Sequence, residues 1–191
     1  MIEKNFLKQL KKDYQINDSQ RRQIISASND ILFTAKKTIF ALQRQDIKEA
    51  EIKLDDNQKK LKKLNRNFGS ERLKREGSYR AAVEEYLEGL TFYLTIKKQS
   101  IKAASDLSFD YESYLGAICD LIGEMVRWAT NQAAAGKFAQ ALKIKKSADD
   151  IMSQLIDFDM TGYLRTKYDQ ARSHLRKLEQ IAYDIRLHQK K

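Results

Sequence analysis

Apolar residues recur along this chain at helical spacing almost throughout. Between residues 20 and 45, Ile24, Ser28, Ile31, Ala35, Ile39 and Leu42 share one stripe at about 100° per residue, as in a helix that turns one face to a core. The same period carries Val83, Leu87, Leu90 and Leu94, then Ile118, Leu121, Ile122 and Met125. No stretch alternates as a strand must. The chain has no proline, so helices are interrupted only where Gly, Asn, Asp and Ser gather: Asn17-Asp18-Ser19, Gly69-Ser70, Ser105 to Asp110, Gly136 and Asp159 to Gly162. The pattern predicts an all-α protein with helices over 2–14, 20–45, 46–67, 71–104, 110–135, 137–157 and 161–188, with ends good to about 2–4 residues. In the last helix Leu175, Leu178, Ile181 and Ile185 suit packing either on its own subunit or on a partner.

Composition narrows the class. A chain of 191 residues that is 42% hydrophobic can bury a core and is read as one domain over 1–191. The single thiol, Cys119, excludes an internal disulfide framework and any Cys-based zinc or iron–sulfur site built from one chain, and fits a reducing cytoplasm. No apolar run approaches the roughly 20 residues that cross a bilayer, and MIEKNFLKQLKKD lacks the apolar stretch of a signal peptide. A soluble cytoplasmic protein without a membrane partner is expected. His174 and His188 are the only histidines, which leaves little room for His-based triads or for the mixed ligand sets of di-iron bundles. Carboxylates are the remaining catalytic groups.

Charge adds a candidate partner. The formal charge of +10 is concentrated at the front, where residues 1–66 carry 16 basic and 9 acidic side chains. Arg22, Lys37 and Arg44, with Phe33 and Phe40, lie off the core stripe of the 20–45 helix. Cations neutralise phosphates and exposed rings stack on unpaired bases, so this face suits single-stranded nucleic acid. A solvated face whose rings bury in a neighbouring helix or subunit gives the same pattern. The Lys-rich run 59–63 reads as a solvated helix face.

Acidic pairs supply the candidate chemistry. Glu85 and Glu88 stand one turn apart in VEEYLEGL, as do Asp120 and Glu124 in AICDLIGEMVRW, each pair away from the main apolar stripe of its helix. Only Glu124 has a basic residue, Arg127, one turn later. Like charges so placed cost a helix about 0.2–0.5 kcal/mol per pair, and a bound divalent cation reverses that sign. Oxygen ligands without His or Cys suit Mg²⁺ or Mn²⁺ rather than zinc. Gly116 and Gly123 lie on the same stripe as Asp120 and Glu124 and would let a backbone or a ligand approach it. Two solvated acidic turns that never meet would show the same spacing.

The segments AKKTIFALQRQD, EAEIKLDDNQKKL, VEEYLEGLTF, DYESYLGAICDLIGEMVRWATNQAAAGKF and RTKYDQARSHLRKLEQIAYDIR, in that order between Arg21 and Arg186, resemble the translin superfamily and match its translin-associated factor X branch best. The resemblance implies a seven-helix subunit of long antiparallel helices. It further implies a hollow octameric barrel, a homo-octamer in prokaryotic relatives, that binds RNA or single-stranded DNA and cleaves RNA inside its cavity. In the factor X branch a metal-dependent ribonuclease site pairs Glu-x-x-Glu on one helix with Asp-x-x-x-Glu on a later one, and Glu85, Glu88, Asp120 and Glu124 match these. The translin branch lacks the full acidic set. Arg80 falls near translin's basic nucleic-acid-binding stretch, although GSYRAAV departs from that pattern. A binding protein with vestigial acids, or a helical scaffold without nucleic acid, are the alternatives to a metal-dependent endoribonuclease.

Overall fold

A computed structural model of the protein describes residues 2–104 and 107–189. Among them seven helices and no strand are found: α1 (Lys4–Gln43), α2 (Ile47–Phe68), α3 (Ser70–Leu73), α4 (Gly77–Ile96), α5 (Tyr111–Ala134), α6 (Phe138–Leu155) and α7 (Gly162–His188).

Two expectations fail. The break at Asn17-Asp18-Ser19 does not occur, and α1 runs through it for 40 residues. None of the three is Gly or Pro, and their side chains find partners on the helix surface. Asp18 pairs with Arg22 at 2.8 Å, Ser19 Oγ accepts from Gln23 at 3.4 Å, and Asn17 Oδ1 accepts from Arg72 at 3.0 Å. The single helix expected over 71–104 is instead α3, a turn, α4 and an irregular segment. Glu76, in extended conformation, opens α4, and Lys98 closes it with a left-handed φ of 55°. There the Gln99 N–H donates to Leu94 O at 2.8 Å and the Lys98 N–H to Thr95 O at 3.1 Å, a Schellman closure. Gln45, φ 63°, closes α1 in the same way, and Gly136, φ 71°, closes α5. Of the expected break at Ser105 to Asp110, Ser105 and Asp106 lie outside the described residues. Asp110 caps α5 by accepting from the Ser113 N–H at 2.8 Å.

α4 and α5 pack on each other at the centre; α1 and α2 cover α4, and α6 and α7 cover α5. The expected α1 stripe is buried from Ile24 to Leu42 and meets Leu61, Leu73, Val83 and Leu87. Beyond it, Phe92, Leu121, Ile122, Met125 and Leu178 form a second cluster. Leu178 and Ile185 settle the placement of α7, which packs on its own subunit. Trp128 is only 8% exposed and belongs to the second cluster, whereas Phe33 and Phe40 stand in solvent. Among the described residues no helix is long and apolar enough to cross a membrane.

Candidate active site

Packing α4 on α5 turns their acidic faces toward one cleft of about 570 Å³. Glu84, Glu85 and Glu88 enter from α4, Asp120 from α5, Tyr163 and Lys167 from α7, and Lys36 and Arg80 stand on its wall. α7 carries Tyr163, Lys167, Ala171, His174 and Leu178 on one stripe, and burial of Ala171 and Leu178 in the core shared with α5 turns Tyr163 and Lys167 to the cleft. Glu124 lies a turn beyond Asp120, outside the cleft lining, and still acts electrostatically on Glu85 and Glu88.

Burial and crowding dominate the electrostatics. Glu88 is only 9% exposed and, among the described residues, its carboxyl has no hydrogen-bond partner. Burial, followed by the nearby Asp120, Glu85 and Glu124, pushes its pKa up to about 9. Burial likewise raises Glu85, against the pull of Lys36, and raises Asp120, against its hydrogen bond to Lys167. Glu85, Glu88 and Asp120, which would repel one another in water, are thus held together where they are hard to ionise.

One cation enters this cluster by contact. Lys167 Nζ donates to Asp120 Oδ2 and to Glu84 Oε1, the latter at 2.7 Å, and the Tyr163 hydroxyl donates to the same Glu84 oxygen at 2.6 Å. Burial works to lower the Lys167 pKa, but these carboxylates and Tyr163 outweigh it and hold the pKa above the ordinary lysine value. The glycines of α5 make the space. A Cβ on Gly116 would lie 2.5 Å from Glu84 Oε2, and one on Gly123 would lie 3.3 Å from His174 Nε2. What approaches the acidic stripe is therefore a pair of side chains, Glu84 and His174, rather than a backbone. Gly116→Ala is expected to displace the Glu84 carboxylate from Lys167 while α5, gaining up to about 1 kcal/mol in helix propensity, stays folded. The check is faster acylation of Lys167 by an amine-reactive ester, read by mass spectrometry, with unchanged far-ultraviolet circular dichroism.

Glu124 is anchored separately. Gln43 Nε2 donates to its Oε2 at 2.7 Å and to its backbone oxygen at 3.0 Å, and Arg127 stands 3.8 Å away. The basic residues expected to meet nucleic acid scatter. Arg22 is paired with Asp18, Arg44 with Glu49 at 3.1 Å, and Lys37 lies 4.2 Å above the Phe33 ring. Arg127 covers the Phe40 ring at 4.7 Å. Only Arg80 of the expected four reaches the cleft. Glu84, Tyr163, Lys167, Gln43 and Lys36 went unnoticed in the sequence. The available signal for Lys167 and His174 is their place on a stripe with Ala171 and Leu178, where a core-facing residue is due.

The donor chemistry fits a hard divalent cation such as Mg²⁺ or Mn²⁺. Glu85, Glu88, Asp120 and Glu124 offer only oxygen, and the Glu88 carboxyl, without a hydrogen-bond partner among the described residues, sits beside Asp120, Glu85 and Glu124. The oxygens are not gathered into a coordination sphere. Among the described residues no three of the His, Cys, Asp and Glu side chains converge as a metal site, Asp120 being turned to Lys167 and Glu124 to Gln43.

Known proteins of the same shape exist. Apo-NeC3PO superposes with a TM-score of 0.83 at 24% identity, covering 96% of this chain and 98% of that one. AfC3PO gives 0.86 at 19% identity, covering 97% and 99%. A structure of AfC3PO with duplex RNA gives 0.84 at 19%, covering 95% and 97%. In sequence, an uncharacterized protein of Methanocaldococcus jannaschii is 27% identical over 165 residues, 84% of this chain and 73% of that protein. Translin of Gallus gallus is 30% identical over 78 residues, 40% of this chain and 34% of that protein. The Translin family model matches residues 19–189, from the middle of α1 through the end of α7, and so takes in every side chain of the cleft. The chain belongs to the translin family.

Proposed function

We propose that this protein is a divalent-metal-dependent endoribonuclease of the translin-associated factor X kind, which cleaves single-stranded RNA within a hollow homo-octamer. The observation that carries the reading is the meeting of Glu85, Glu88 and Asp120 in one cleft, with Glu88 buried and unpartnered among the described residues and Glu124 close enough to act on it. In the proposed reaction Glu85, Glu88, Asp120 and Glu124 hold one or two Mg²⁺ or Mn²⁺ ions. Such an ion supplies Lewis acidity at the scissile phosphate and lowers the pKa of the attacking water. One of these carboxylates takes that water's proton. Lys36 and Arg80, which have no ion-pair partner among the described residues, neutralise the strand at the cleft wall.

Assembly is supported by apolar side chains left in solvent by the single subunit: Phe6, Leu7 and Leu10 at the start of α1, and Phe33 and Phe40 further along it. A protein of the same fold is known in complex with duplex RNA, so the assay takes duplex RNA and single-stranded DNA beside single-stranded RNA. Light scattering on the size-exclusion peak, then digestion of end-labelled substrates with Mg²⁺, Mn²⁺ or EDTA, tests the reading. Cleavage of single-stranded RNA that EDTA abolishes, by an octameric particle, is expected. Salt-sensitive binding with no metal-dependent cleavage selects a non-catalytic single-stranded RNA- or DNA-binding protein instead.

A further inference from the structure

Lys167 is the one basic side chain that hydrogen bonds within the acidic cleft, among the described residues. Its side chain is only 18% exposed. Glu84 and Tyr163 make a seat for it that is independent of the four acids matched above: Lys167 Nζ and the Tyr163 hydroxyl both donate to Glu84 Oε1, and the Tyr163 ring centroid lies 5.3 Å from Nζ. Gly116 leaves room for that seat, since a Cβ there would meet the Glu84 carboxylate. The remaining contact of the ammonium, Asp120 Oδ2, is an oxygen that the proposed cation would need. Lys36 and Arg80 also face the cleft but touch none of its acids through an ion pair among the described residues.

An ammonium at hydrogen-bond distance from a carboxylate oxygen and a divalent cation coordinated by that oxygen repel each other and compete for it. We infer that Lys167 is a resident counter-ion of the cleft: it holds Asp120 while no divalent cation is bound, must yield that oxygen to one, and thereby sets the metal affinity of the site. The inference rests on the metal-binding reading above. Without Lys167, Asp120 and Glu84 would add uncompensated charge to a cleft already crowded with carboxyls. With it, the subunit folds at a cost in metal affinity.

Calorimetric titration of the full-length protein with Mn²⁺, without RNA, tests this. Lys167→Met is expected to bind Mn²⁺ about ten-fold more tightly than wild type or better, the scale of removing one charge-assisted hydrogen bond. Lys167→Arg, whose fork can engage Glu84 and Asp120 together, is expected to bind it several-fold more weakly. Lys146→Met, which removes a charge on α6 outside the cleft lining, should shift the affinity by no more than about two-fold. Equal Mn²⁺ affinity in wild type and Lys167→Met, or weaker binding by Lys167→Met, overturns the competition and leaves the metal site standing. Absence of Mn²⁺ binding by both proteins at millimolar concentration overturns both readings. If Lys167→Met does not fold, Lys167→Arg decides alone, and unchanged or tighter binding by it overturns the inference.

Discussion

Glu88→Gln is expected to abolish RNA cleavage, by more than about 100-fold, while the protein folds, assembles and binds RNA in EDTA as wild type does. The amide has the shape of the carboxyl and is neutral, so the core around a residue that is 9% exposed has no reason to rearrange. It brings no negative charge to a divalent cation. A hundred-fold loss is the upper end of what a group outside the metal's own ligands costs, so a larger loss marks Glu88 as a ligand. RNA binding should persist because Lys36 and Arg80 remain on the wall of the cleft. The two halves of the result separate catalysis from binding. A loss below about five-fold, in a variant that binds RNA normally, would remove Glu88 from the reaction.

The sequence carried the acids further than it carried their surroundings. Burial of Ile24, Ile31, Ala35, Ile39 and Leu42 followed directly from their period, and the helical positions of Glu85, Glu88, Asp120 and Glu124 from the same arithmetic. Helix ends were legible where glycine marks them, as at Gly69 and Gly136, and not where Lys98 adopts the left-handed turn that closes α4. At that position the tertiary course of the chain overrides local preference. Glu84 adjoins Glu85 in sequence, about 100° away around the helix, so neither α4's period nor its charge pattern says that it meets α7. Lys167 joins Asp120 across 47 residues of chain. A contact of that kind depends on which helices pack together, and a single sequence does not contain that information.

Metal-free protein is expected to lose stability as pH rises from the ordinary glutamate range toward about 9. Glu88 has a pKa of about 9 when folded against an ordinary value of 4.5, so between these values the folded state binds more protons than the unfolded one. Stability then falls with pH, at up to about 1.4 kcal/mol per unit for one such group. The raised pKa values of Glu85 and Asp120 add to the fall. Lys167, with its pKa held high, stays charged throughout the window and does not reverse it. His174 works the other way: burial and Lys177 lower its pKa, so its share of the stability grows as pH rises through its ordinary value of 6.5. Urea unfolding of wild type and Glu88→Gln from pH 5 to 8.5 isolates the Glu88 contribution, because His174 is common to both. The variant is expected to gain on wild type with every step in pH. Saturating Mg²⁺ should close the gap by stabilising wild type alone, since the ion favours the ionised carboxylates that only the folded cleft brings together. Parallel curves for the two proteins would mean that Glu88 ionises as freely in the folded state as in water, and the crowding of charge that gives a divalent cation its place would be absent.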